Sequence, residues 1–154
     1  MNFTYDRWGR EEYARLLAFL SEKSDPAYRE FHSRINPSEK PVIGVRTPIL
    51  RSMAGSIAAG NWRSFLNAAK DDSSEELALQ AFVMGRLRKT GLSELLSYIR
   101  TYISKVRDWA TCDRFCSELK PIRRERELFL PVIEELIASG EEWRVRQGLV
   151  FLLC

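Results

Sequence analysis

Apolar residues return every three or four positions along nearly the whole chain, the spacing that places them on one face of an α-helix. Tyr13, Leu16, Leu17 and Leu20 form the first stripe, with Glu11, Glu12 and Arg15 opposite, so the pattern predicts a helix from Tyr5 to Glu22. Ser24-Asp25-Pro26 reads as the start of a second helix carrying Tyr28, Phe31 and Ile35, with His32 on or near its apolar edge. From Asn36 to Val45 the period fails. Pro37, Pro41 and Gly44 mark an ordered loop rather than a linker, because Val42, Ile43 and Val45 need burial. Thr47 is expected to cap the next helix, with Pro48 its first residue and Ile49, Leu50, Met53 and Ile57 its stripe, until Gly60 stops it. Asn61 then caps a short helix through Trp62, Phe65 and Leu66.

Ser73 or Ser74 is placed to cap a further helix, with Glu76 reaching back to it. Leu77, Leu79, Phe82, Val83 and Leu87 make that helix apolar almost all round, which predicts a central, buried element ended by Thr90-Gly91. Gly85 within it points to close helix contact rather than a ligand site. The pattern resumes over Ser93 to Val106, then over Asp108 to Lys120, where Pro121 closes it. Phe129, Val132, Ile133 and Leu136 continue it, with a kink or restart expected at Pro131. A last helix is expected from Glu141 to Cys154. No segment alternates with period two, so the chain reads as all-α, with roughly nine helices joined mostly as antiparallel pairs. Pairs of this size can stack into a superhelical solenoid with one concave face. The apolar run Leu149 to Cys154 has no polar tail and predicts a shortened chain or a surface covered by a partner, a homodimer through this run included.

Composition narrows the class. With 154 residues, 45% hydrophobic and 29% charged, the chain has a core's worth of apolar side chains and the polarity of a soluble protein. No apolar run is long enough to span a bilayer, and the N-terminus lacks the basic-then-apolar order of a signal peptide. The three cysteines make no disulfide framework, so a reducing, cytoplasmic setting is expected. A net charge of +3 is compatible with nucleic acid without demanding it, so the position of the cations must decide. One histidine excludes a multi-histidine metal site, and no Gly-rich phosphate loop is present, so neither a metal nor a cofactor is expected.

Candidate chemistry lies in Asp108 to Lys120. Trp109 and Asp113 are one helical turn apart on one face. An indole face and a carboxylate together attract a cationic ligand, the first by its quadrupole and the second by its charge. The same residues also suit a core tryptophan and a capping or paired aspartate. Arg46 and Arg51 flank a helix start, where free N–H groups and two guanidinium groups can hold a phosphate or simply meet water. Lys120, Arg123 and Arg124 form a basic cluster that serves either phosphate contact or Arg–Glu pairing in a solvated turn.

Gly44-Val45-Arg46-x-Pro48-x-Leu50-Arg51, Glu75-Glu76-Leu77 with Ala81-Phe82-Val83-Met84-Gly85, Asp108-Trp109-Ala110-x-Cys112-Asp113-x-Phe115-Cys116, and Trp143-x-Val145-Arg146 together resemble the AlkD-like DNA alkylation repair family. The matches keep family order and cover nearly all of the chain. The resemblance implies HEAT-like repeats over a single domain spanning 1–154, wrapping duplex DNA that contains alkylated bases on a concave basic face. It further implies a glycosylase that releases purines alkylated at N3 or N7 without needing to flip the base into a pocket, which would otherwise be the default. Asp113 matches the family's aspartate, Trp109 one cleft tryptophan, and Arg146 the nearby arginine, which on this resemblance would hold a DNA phosphate. Longer members continue for several more helices that carry a second cleft tryptophan, and Trp143 does not align with that role.

Overall fold

A computed structural model describes residues 2–154 of the chain. Among the described residues there are nine α-helices and no strand: α1 Arg10–Glu22, α2 Pro26–Ile35, α3 Thr47–Ala59, α4 Trp62–Ala68, α5 Ser74–Arg86, α6 Leu92–Ile103, α7 Trp109–Glu118, α8 Arg126–Ala138 and α9 Glu142–Leu153. A 3₁₀ turn, Lys120–Arg124, joins α7 to α8. The all-α class and the helix number follow the apolar periodicity closely.

Several boundaries differ from the sequence reading, each for a local reason. Residues before Arg10 are not helical, because Phe3 and Trp8 are buried in the core. The Phe3 and Trp8 amides donate to Ser56 Oγ and Ser64 Oγ, both at 2.8 Å, so this segment lies against α3 and α4 instead of coiling. Arg46, not Thr47, caps α3, and Thr47 is its first helical residue. Helix α5 ends at Arg86, before Thr90-Gly91, and α7 ends at Glu118, because the chain turns into the 3₁₀ segment around Pro121. Helix α8 passes through Pro131 unbroken rather than restarting there.

Helix α5 is the centre of the molecule, with every residue from Ser74 to Gly85 buried. It packs between α3 and α7, α7 packs on α9, and α9 packs on α8. Ser73 caps α5, accepting from the Glu76 amide at 3.3 Å, and its hydroxyl donates to Glu76 Oε2 at 2.8 Å. Glu75 points out of the same first turn into the loop after α2. Its carboxylate accepts from the amides of Ile43, Gly44 and Val45 at 2.9, 2.8 and 3.1 Å. That satisfies a buried charge with three donors and fixes the entry to α3. Gly44 sits at φ +99°, which L side chains rarely adopt, and a Cβ there would strike the Asp25 carbonyl. Val45 is buried, whereas Val42 and Ile43 are half-buried.

Two contacts set the position of α7. At its start Asp108, 3% exposed, caps the helix through the Thr111 amide at 2.8 Å and accepts from Thr111 Oγ1, Ser38 Oγ and Asn36 Nδ2 at 2.9, 2.9 and 3.2 Å. At its end the Glu118 carbonyl lies so close to Gly85 that a Cβ at that position would collide with it. The close helix contact expected of Gly85 is what the structure places there. Burial pushes the Asp108 carboxyl up, but the hydrogen bonds from the Thr111 amide, Ser38, Thr111 Oγ1 and Asn36 outweigh it and hold the pKa below the ordinary carboxylate range.

Two outcomes follow. Gly85→Ala is expected to lower stability by about 1–3 kcal/mol in urea unfolding, because the α5–α7 contact must open. Asp108→Ala is expected to cost about 2–3 kcal/mol near neutral pH, from a lost cap and three stranded donors. A depressed folded-state pKa means that this contribution is present above the unfolded aspartate pKa and is lost as pH falls through the lower folded value. The penalty measured for Asp108→Ala should therefore shrink in strong acid.

Candidate functional site

Helix α7 presents Trp109 and Asp113 to solvent one turn apart, as the spacing requires. Trp109 is 42% exposed, a large value for an indole, while Cys112, Phe115 and Cys116 of the same helix are buried. The inward face explains the orientation. Phe115 stacks on Tyr102 with ring centroids 4.1 Å apart and meets Phe151 of α9 edge-on at 5.8 Å. Trp109 is therefore left outside the core by the side chains that hold the helix down.

Asp113 does not stand free. Arg146, one turn into α9, donates Nε to Asp113 Oδ1 at 3.0 Å and an Nη to Oδ2 at 2.7 Å. This is a two-bond fork between adjacent helices, with both side chains about two-fifths exposed. The sequence reading treated Arg146 as a phosphate contact and did not pair it with Asp113. The pair raises the already high Arg146 pKa, first through the Asp113 hydrogen bond. An ionised carboxylate has about four lone-pair directions, so a bidentate arginine leaves part of Asp113 open. Because the pair is at the surface, water screens it and it opens at little cost.

The other predicted cations separate into two groups. Arg46 donates Nε and an Nη to Asp25 Oδ2 at 3.0 and 2.7 Å, with its guanidinium 5.3 Å from the Tyr28 ring centre, and stays well exposed. Arg51 reaches across to Glu118 in an ion pair and lies 4.6 Å from the Phe82 ring centre, so it ties α3 to the end of α7. Lys120, Arg123 and Arg124 are exposed on the 3₁₀ turn that follows α7, and Arg124 donates to the Arg88 carbonyl at 2.9 Å. Among the described residues no carboxylate pairs with these three. The Arg–Glu pairing weighed for the turn does not occur there.

Three features escaped the sequence reading. The Asp108 junction joins α7 to residues 72 and 70 positions earlier in the chain, a separation no local pattern encodes. The Glu75 clamp on the loop is of the same kind. Arg114, next to Asp113, projects to the other flank of α7, against α2, α3 and α5.

Chemically, the site offers a half-exposed carboxylate, an exposed indole and a surface guanidinium on adjacent helices. Among the described residues no group of three or more His, Cys, Asp or Glu could hold a metal ion. No helix among them is long and apolar enough to cross a membrane. No curated protein and no solved structure matches the chain. The family model described as DNA alkylation repair enzyme matches residues 16–154, which takes in every helix from the middle of α1 onward and all of the site residues above. The chain belongs to the DNA alkylation repair enzyme family.

Proposed function

We propose that this protein is a DNA glycosylase that hydrolyses the N-glycosidic bond of cationic N3- or N7-alkylated purines in duplex DNA. The observation that carries the reading is the pairing of exposed Trp109 with a surface carboxylate, Asp113, whose orientation Arg146 fixes. Packing of α3, α5, α7 and α9 in succession supports a HEAT-like solenoid over one domain, with the exposed side of α7 and α9 toward DNA and α5 buried beneath.

A purine alkylated at N3 or N7 already carries positive charge and leaves as a neutral base, so the reaction needs no strong general acid. The site's residues agree with that demand. As the bond breaks, positive charge moves to the deoxyribose. Asp113 stabilises it electrostatically and orients the attacking water. Trp109 packs on the sugar and attracts the cationic lesion through its ring. Arg146 either keeps the carboxylate aligned or swings to a phosphate, freeing Asp113 as DNA arrives. Lys120, Arg123 and Arg124 supply cations not committed to carboxylates, and Arg46 and Arg51 become available to DNA only by leaving Asp25 and Glu118. The three unpaired cysteines suit the reducing, cytoplasmic setting expected of the chain. Leu149, Leu152 and Leu153 are exposed on α9, but no feature of them identifies a second copy as the partner.

The closed Asp113–Arg146 fork favours one rival reading, a non-catalytic helical-repeat module that binds DNA or a protein. Excision separates the two. Asp113→Asn is expected to slow release of 7-methylguanine from methylated duplex by at least about 100-fold while leaving duplex affinity largely intact. Equal release by wild type and variant removes Asp113 from the chemistry, and no release by either supports the binding module.

A further inference from the structure

On the flank of α7 away from Arg146, Arg114 closes a small polar recess. The recess is lined by His32 and Tyr28 of α2, Thr47 and Leu50 of α3, Ser74, Glu75 and Ala78 of α5, and Val45. Two 13-residue helices, α3 and α5, begin at it, so their positive ends face it together. Among the described residues no carboxylate pairs with Arg114. That sets Arg114 apart from its neighbour in function, Arg146, and from Arg46 and Arg51.

The recess also contains polar atoms with nothing to bind. Ser74 is 5% exposed and its Oγ has no hydrogen-bond partner; His32 Nδ1, also buried, has none either. Unsatisfied buried polar atoms are uncommon in folded proteins, and two in one lining ask for a ligand. Glu75 is the one acid in the lining, with Asp108 acting on His32 from nearby, and the Glu75 carboxylate is turned to the amides of Ile43, Gly44 and Val45. Its charge is thereby spread over three donors of the loop. What remains is the Arg114 guanidinium at the mouth and, buried behind it, the Ser74 hydroxyl and His32 Nδ1, which can donate to an anion. The Ser74 and Glu76 amides in the first turn of α5 are taken by the Pro41 carbonyl and Ser73 Oγ, so that helix start adds mainly its positive end.

We propose that the recess formed by Arg114, Ser74, His32 and Thr47 is a binding site for a phosphate oxyanion. The oxyanion seats at the mouth on Arg114, with a shift of the Ser74 and His32 side chains toward it, because the enclosed space is small. The shared chemistry is a tetrahedral phosphate, carried either by a DNA backbone phosphodiester or by free phosphate. The first source rests on the DNA reading above; the site itself does not. On that source the recess holds the strand on one side of α7 while Asp113 and Trp109 face the lesion on the other.

His32 is the chain's single histidine, which makes its imidazole a unique reporter inside the recess. Inorganic phosphate, and separately an unmodified duplex, are titrated into the protein at constant ionic strength while the His32 imidazole resonances are followed by NMR. A saturable shift with either probe that Arg114→Gln abolishes and Arg114→Lys partly keeps supports the site. A shift with phosphate alone identifies free phosphate as the source, and a shift with duplex identifies the backbone. With the backbone as source, Arg114→Gln also weakens duplex affinity by about tenfold and lowers the salt slope by about one. No saturable shift with either probe, or shifts unchanged in Arg114→Gln, overturns the proposal. Loss of excision in Asp113→Asn is read separately and neither rescues nor sinks it.

Discussion

The carboxylate of Asp108 is the constraint on which the rest of the site depends. It starts α7 and at the same time accepts from Asn36 and Ser38 on the far loop, so one buried charge defines where the helix begins and what it leans on. With that end fixed, and the other end seated against Gly85, α7 has one rotational setting. Phe115 and Cys112 turn inward, which leaves Trp109 and Asp113 at the exposed edge of the helix and Arg114 on its other flank. A buried carboxylate with four donors is stable as an ion; the same carboxylate with its donors removed is a large penalty. The surface chemistry is thus set from beneath.

Three acids divide the labour in a way that exposure explains. Asp108 and Glu75 are buried and saturated by protein donors, and they act on backbone geometry. Asp113 is two-fifths exposed and bound to a single side chain that can itself move. Breaking a pair of that kind costs on the order of 1 kcal/mol or less, small beside the several kcal/mol that a fixed charge contributes to a developing cation in a site from which water is excluded. The fork therefore orients the carboxylate while leaving part of it open to solvent. DNA covering α7 would exclude water and strengthen the field of Asp113 at the same moment that a phosphate competes for Arg146.

Much of this was legible in the chain. The apolar period predicted all-α architecture, the buried α5 and the sharing of one helix face by Trp109 and Asp113, because these depend on spacing within one helix; whether that face met the core or solvent it left open. Gly85 was readable as a contact residue because a glycine in an apolar helix has few other uses. What the pattern missed were pairings between distant segments: Asp113 with Arg146, Arg51 with Glu118, Asp108 with Asn36 and Ser38. Charge alone does not say which arginine finds which acid. The non-helical start, where Phe3 and Trp8 dock on α3 and α4, was hidden for the same reason, since aromatic spacing there imitates a helix.

The central claim is that a fixed carboxylate assists departure of a base that is already positively charged. Comparing release rates of 7-methylguanine and of neutral 1,N6-ethenoadenine from otherwise identical duplexes tests it most directly. The account predicts release of the cationic base and none of the neutral one above the uncatalysed background. Comparable release of both would show that protonation or base flipping carries the chemistry, and would contradict it.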